Sequence, residues 1–181
     1  MRQKLTKLLT SCVFVWICGL SAFGADSFYM LPYEQDKALN TLKNALQNAQ
    51  SEIKISIYSF THNDIAKILR DSAKRGVQVH IIYDKESNAN NKSSTIGYLA
   101  KYNNISVCLL SGVRAKGKKH FGIMHQKMAI IDRDTLIIGS ANWSKNAFEN
   151  NFETLLISHD KAFITKALQG YDKMMNACVG F

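Results

Sequence analysis

The sequence predicts an α/β layer fold. Strand-like and helix-like stretches take turns through its first half, and each is punctuated by a capping or turn residue. In its second half an apolar run, Met124 to Ile131, lies between an upstream glycine and an Asp-Arg-Asp turn, which reads as a strand. With 181 residues, one domain is the default, and the chain is long enough to bury a sizeable core. No internal repeat or low-complexity linker divides it.

Residues 1–25 stand apart from the fold. Arg2, Lys4 and Lys7 precede a nearly unbroken apolar run from Leu8 to Phe23, and Ala22-Phe23-Gly24 offers small residues for cleavage. This reads as a signal peptide or, equally, as an uncleaved N-terminal membrane anchor. Positive charge ahead of the run places the remaining domain, 26–181, outside the cytoplasm, periplasmic or membrane-anchored. Residues 1–25 hold three basic and no acidic residues. The domain therefore keeps 20 basic against 14 acidic residues, a net +6, and the excess charge favours polyanionic partners.

The elements follow in order. Ala38, Leu39, Leu42, Ala45, Leu46 and Ala49 recur at helical spacing, predicting a helix over 34–50. Ile53, Ile55 and Ile57 alternate with polar residues, giving a strand. Thr61 or Asn63 caps a helix that runs to Arg75 and stops at Gly76. A strand covers 77–83, a helix 93–102 and a strand 105–110. After the apolar run come short strands at 135–138 and 151–158. A final helix covers 160–177, with Phe163, Ile164, Ala167, Leu168, Tyr171 and Met175 on its apolar side.

The chemistry concentrates in His125-Gln126-Lys127 and in Gly139-Ser140-Ala141-Asn142. On a strand, His125 and Lys127 would project from one face, setting an imidazole beside an ammonium. That pairing suits a nucleophile or proton carrier next to an anion clamp. Gly139 permits a bend, and Ser140 and Asn142 offer small hydrogen-bond donors to the same anion. Any one of these residues alone is more often structural.

Together they carry a resemblance. His125-x-Lys127-x-x-x-x-Asp132, then six residues, then Gly139-Ser140-x-Asn142, resembles the HKD motif of the phospholipase D superfamily. Glu153 matches the downstream acidic residue of its small, single-motif bacterial nuclease branch, and the flanking Tyr58-Ser59-Phe60-Thr61 is in keeping with it. The resemblance implies a mixed β-sheet sandwiched between helices, one HKD motif per chain. It implies a metal-independent endonuclease that hydrolyses DNA phosphodiesters through a phosphohistidine intermediate and leaves 5′-phosphates. Single-stranded DNA is favoured, because a single strand threads a shared cleft more easily than a duplex; RNA is a further substrate to consider. One His attacks phosphorus and a second donates the proton. Since each chain supplies only His125, a homodimer sharing one site is expected. Lys127, Ser140 and Asn142 would hold the phosphate oxygens, and Glu153 would bond the far nitrogen of His125. Asp132, at a turn and of opposite strand parity, receives a supporting role.

From Ser87 to Ile131 there is no acidic residue, against seven positive ones. Within that stretch Arg114, Lys116, Lys118, Lys119, His120 and Phe121 form a basic loop leading into His125, a candidate for backbone phosphates with an aromatic face for a base. A merely solvated loop and a contact with anionic lipid stand as alternatives. Tyr58, Phe60 and His62 are weighed as cleft residues, with core or rim packing the preferred reading.

Cys108 and Cys178 can pair across a loop of about 70 residues, for roughly 4 kcal/mol in the chain-entropy model, or remain buried thiols. No Cys or His pair has zinc-ligand spacing, no carboxylate cluster suits a two-metal nuclease, and no cofactor is expected. Two other functions compete: a phospholipid hydrolase or transferase, disfavoured by the single motif and the lack of an apolar lid, and a non-catalytic DNA receptor. Nutrient scavenging, handling of incoming DNA and defence all fit an outward-facing nuclease.

Overall fold

The structure is a computed structural model that describes residues 25–117 and 119–181. The segment expected to be a signal peptide or anchor, with Cys12 and Cys18, and Lys118 of the basic loop lie outside the described residues. Among the described residues no helix is long and apolar enough to cross a membrane.

The elements in chain order are β1 (Ser27–Leu31), α1 (Gln35–Gln47), β2 (Glu52–Ile57), α2 (Asn63–Lys74), β3 (Gln78–Asp84), α3 (Lys85–Asn88), α4 (Ile96–Leu99), β4 (Ile105–Leu110), β5 (Lys127–Ile131), β6 (Thr135–Gly139), α5 (Lys145–Glu149), β7 (Glu153–Ser158), α6 (Lys161–Asn176) and β8 (Val179–Gly180). The strands form one mixed eight-stranded sheet in the order β1-β7-β6-β5-β2-β3-β4-β8. β2, β3 and β4 are parallel, joined by the helical crossovers that parallel strands require. The other pairings are antiparallel. This is the mixed sheet sandwiched by helices that the resemblance implied.

Two apolar clusters, one per sheet face, hold the layers together. Leu42 and Leu46 of α1, Ile65 and Leu69 of α2 and Phe148 of α5 pack with Ile53, Ile55 and Ile81 on one face. On the other, Ile164 and Tyr171 of α6 pack against Ile82, Met128, Ile130 and Leu136. Burying one such side chain stabilises the fold by about 1.5–3 kcal/mol. β2 and β5 are covered on both sides, which is why β5 is buried along its whole length. Cys108 in β4 and Cys178 after α6 form a disulfide with Cα atoms 5.8 Å apart.

Several predicted boundaries move. The helix expected over 93–102 contracts to Ile96–Leu99. The Thr95 hydroxyl donates to Phe60 O at 3.1 Å and lies 3.0 Å from Tyr83 Oη, so it ties two strand ends together instead of capping a helix. His62, not Thr61 or Asn63, occupies the N-cap position of α2, and its side chain makes no cap bond. Asp160 caps α6 fully, accepting from Ala162 N and Phe163 N. The elements β1, α3, α5 and β8 were not expected. All four are five residues or shorter, too short for periodicity to register.

Candidate active site

The top edge of the sheet is where His125, Lys127, Ser140, Asn142 and Glu153 lie. β2, β3 and β4 end there, β5 and β7 begin there, and β6 runs into Ser140 there. Ligands bind outside the carboxyl ends of parallel strands in folds of this type.

His125 is not on β5, which starts two residues later. The buried carboxylate of Asp84, at the end of β3, explains why. Its Oδ1 accepts from Met124 N and its Oδ2 from Ser87 N, both at 2.9 Å. The residue before His125 is thus held by a side chain rather than by a strand ladder. The residue after it is pinned as well: Gln126 O accepts from Tyr58 N at 2.8 Å, and Gln126 Oε1 accepts from Ser56 Oγ at 2.8 Å. Between these anchors His125 is exposed. Its ring lies against Tyr58, with centroids 4.5 Å apart and planes tilted by 60°.

Lys127 lies beneath this surface, 8% exposed. Its Nζ donates to His125 O at 2.9 Å and stands 4.9 Å from the Tyr58 ring centroid, a cation–π distance. Burial pulls its pKa below the usual lysine value, and the negative charges of Glu153 and Asp84 oppose that pull. The shared strand face expected of His125 and Lys127 therefore does not hold as strand geometry. The two are joined by a main-chain hydrogen bond and by common contact with Tyr58.

Gly139 brings Ser140 in. A Cβ at Gly139 would fall 2.1 Å from Thr154 O, so only glycine allows β6 and β7 to approach this closely. Ser140 then spans the strands: its N donates to Thr154 O at 3.1 Å, and its Oγ accepts from Thr154 N at 3.0 Å. That leaves the Ser140 hydroxyl hydrogen for another acceptor. Trp143, 1% exposed, anchors the far end of this segment. Its O accepts from Thr61 N and His62 N, and its ring meets Phe60 edge-on at 5.1 Å. Asn142 lies between the two anchors, and its Oδ1 is buried with no partner among the described residues. A buried polar atom left unsatisfied calls for an explanation, and a ligand in the site is one.

Glu153 opens β7, and its Oε1 accepts from Asn151 Nδ2 at 3.4 Å. Among the described residues no hydrogen bond joins it to His125, contrary to the role the resemblance implied. Its charge acts on Lys127 instead.

Asp132 sits away from all of these, at the other end of β5, which is roughly 17 Å long at about 3.4 Å per residue. Its carboxylate accepts four hydrogen bonds, from Gln50 N, Ser51 N, Ser51 Oγ and Glu52 N. Burial opposes its charge, but these bonds outweigh burial and hold its pKa below the ordinary aspartate value. It fastens the start of β2 to the turn after β5.

The basic loop is a hairpin. Gly112 N donates to Gly122 O at 2.8 Å, Gly122 N to Val113 O at 2.9 Å and Ala115 N to His120 O at 3.0 Å. Arg114, Ala115, Lys116, Gly117 and Lys119 line a concavity of about 370 Å³ near its tip. His120 and Phe121 are exposed on the returning arm. Phe60 and His62 are buried, so they are packing residues, whereas Tyr58 belongs to the site. The sequence reading passed over Asp84, Gln126 and Asn88. Asn88 Nδ2 donates to Tyr58 O at 2.7 Å and to Asp84 O at 2.8 Å, clamping the two strand ends. An acidic residue ending a buried strand was the one available signal. Among the described residues no group of His, Cys, Asp and Glu could hold a metal ion.

The site thus sets an exposed imidazole beside a buried lysine, with a serine and an asparagine delivered by a glycine-tight bend. Residues 42–175 match the family described as cardiolipin synthase, PLD-like domain, and the chain belongs to that phospholipase D-like family. Among solved structures it is similar to NucT from Helicobacter pylori, at 56% identity and a TM-score of 0.85, over 87% of this chain and 99% of that one. It is also similar to Nuc from Salmonella typhimurium, a phospholipase D family member, at 26% identity and a TM-score of 0.71, over 87% and 97% of the two chains. A mitochondrial cardiolipin hydrolase from Mus musculus is 31% identical over 144 residues, which is 80% of this chain but 60% of that relative's length. The chain therefore spans about 60% of the length of that curated relative.

Proposed function

We propose that the protein is an exported, metal-independent phosphodiesterase that cleaves DNA, single strands in preference to duplex and with RNA as a further substrate, at a site shared by two copies. The observation that carries this reading is the meeting of His125, Lys127, Ser140, Asn142 and Glu153 at one sheet edge with the basic hairpin alongside. A nucleic acid is favoured over a lipid because the positive charge extends along that hairpin, matching a chain of phosphates rather than one headgroup.

The chemistry follows from these groups. The His125 imidazole attacks phosphorus, forming a P–N bond as the P–O3′ bond breaks, and the partner's His125 protonates the departing oxygen. Water then attacks the phosphohistidine. Its proton goes to that second imidazole, and the 5′-phosphate leaves. The Lys127 ammonium and the Ser140 and Asn142 side chains offset the charge that builds on the non-bridging oxygens.

The second copy has a surface to meet. Among the described residues, one sheet face carries three helices of five residues or more, while the other carries α6 alone. Tyr29 turns towards α1, its Oη 2.9 Å from Thr41 Oγ1, so strand alternation sends Phe28 and Met30 to the α6 side. There Phe28, Met30 and Phe163 are 59%, 49% and 56% exposed. A groove of about 490 Å³ beside them, lined by Met128, Ile138, Leu156 and Tyr171, reaches Gln126, the neighbour of His125. A partner seated on this face lies next to the site.

The test is cleavage of plasmid, single-stranded DNA and RNA by the purified domain in excess EDTA, beside its His125→Ala variant. The reading predicts cleavage by the wild type alone and retained DNA binding by the variant. Activity that EDTA abolishes and magnesium restores would contradict it. So would hydrolysis of cardiolipin vesicles with no cleavage of nucleic acid.

A further inference from the structure

On the β4 side of α6 a second cleft opens beside His125, with a volume of about 760 Å³. That lies within the roughly 300–1,000 Å³ range of ligand sites. Its walls are mainly apolar, with Leu110, Val113, Phe121, Ile123, Met174 and Val179 the principal side chains. Lys85, Arg114 and Lys173 also line it, and His125 and Gln126 belong to the same lining. Several of these apolar groups are held against water: Val113 is 90% exposed, Val179 70%, Phe121 58% and Ile123 51%. Nothing in the chemistry of phosphate transfer calls for them.

The wall is built rather than loose. A Cβ at Gly112 would stand 2.4 Å from Gly122 C and 2.6 Å from Ile123 N, so the hairpin stem closes only because residue 112 is glycine. That contact holds the stem in a register that sets Arg114 opposite Phe121, with Val113 and Ile123 close by along the two arms. The disulfide from Cys108 to Cys178 ties β4 to the segment carrying Ala177 and Val179, the opposite wall.

An apolar slot with cations in its lining, next to a group that attacks phosphorus, fits a ligand in which a flat apolar ring hangs from an anionic backbone. We propose that this cleft is a base-binding subsite. It takes one unpaired nucleobase flanking the scissile phosphate, with Phe121 as the stacking face and Lys85, Arg114 and Lys173 around the backbone. The inference rests on the nuclease reading above and extends it to strand selection. In a duplex the base is stacked and paired and must be flipped out to enter, whereas a single strand offers it freely. An acyl chain is the competing occupant. The base is preferred because the positive charge continues past the cleft along Lys116 and Lys119, as a polyanionic chain requires.

The test walks a single abasic residue along a single-stranded oligonucleotide of fixed cleavage position, using the wild-type protein in EDTA. The expected result is a fall in kcat/KM of about 5- to 150-fold at one position flanking the cut, the range that base–aromatic stacking spans, with under about 2-fold at positions further away. Phe121→Ser, whose folding is checked by circular dichroism, should then cleave the intact strand and that abasic strand at similar rates. An even response along the walk overturns the subsite while leaving the nuclease reading intact, and no cleavage of any strand overturns that reading first. Abasic sensitivity that persists in Phe121→Ser moves the base elsewhere. Loss of cardiolipin-vesicle hydrolysis in Phe121→Ser, with no abasic effect, gives the cleft to an acyl chain instead.

Discussion

Replacing Asp132 by alanine should unfold the protein before it harms the chemistry. The side chain accepts from three backbone N–H groups, at 2.8 Å from Gln50 N, 2.8 Å from Ser51 N and 3.0 Å from Glu52 N, and from Ser51 Oγ at 2.8 Å. Three of these bonds face solvent, so each is valued at the low end, about 0.5–1 kcal/mol; the half-buried one to Glu52 N is worth somewhat more. Asp132 also sits at φ 49°, a left-handed conformation that aspartate tolerates and alanine resists by about 1–2 kcal/mol. The expected loss is therefore about 3.5–6 kcal/mol. Because the folded-state pKa is held below the unfolded value, this contribution is present above the unfolded pKa and lost as pH falls through the folded one. Urea unfolding of wild type and Asp132→Ala at neutral pH and near pH 3 measures both effects. The gap between the curves should narrow in acid, and the specific activity of the folded fraction at neutral pH should change less than about 3-fold. A stability loss below 1 kcal/mol with a hundredfold loss of turnover would refute the reasoning and give Asp132 a part in the chemistry.

Reducing the Cys108–Cys178 disulfide, which spans 70 residues, should cost about 4 kcal/mol and lower the thermal midpoint by about 10–15 °C; a drop under about 3 °C would show that the closed loop matters little. Asp84→Asn removes a charge that supports the Lys127 ammonium. The basic limb of the pH–rate profile should therefore move to lower pH, and an unmoved limb would separate Lys127 from that limb. Gly139→Ala drives a Cβ into Thr154 O and so should lower activity and stability together, measured by cleavage rate and urea midpoint on the same preparation. A variant that keeps both would deny the tight β6–β7 approach its part in presenting Ser140.

The long elements were legible because their patterns repeat. The isoleucines of β2, the helical spacing of Leu42 and Leu46, and the Asp160 cap of α6 each encode their own geometry. β1 and β8 were not legible. At five and two residues they exist because β7 and β4 offer edges to pair with, which is a tertiary fact. The site divides the same way. His125, Lys127, Ser140, Asn142 and Glu153 were readable together through their spacing. Their supports were not, because Asp84, Asn88 and Gln126 act through bonds to main chain or side chains 30 to 70 residues distant along the chain. The expected strand character of His125 failed for that reason: Asp84 competes for Met124 N and wins it from the ladder.

The claim that matters most is that each phosphate is worked on by two His125 side chains from two copies. It is tested most directly by mixing wild type with His125→Ala under conditions where subunits exchange, and measuring cleavage of single-stranded DNA in EDTA. If both imidazoles are needed, activity falls with the square of the wild-type fraction, to about a quarter in an equal mixture. Activity that falls in simple proportion, to about half, would show that one chain suffices and would contradict the account.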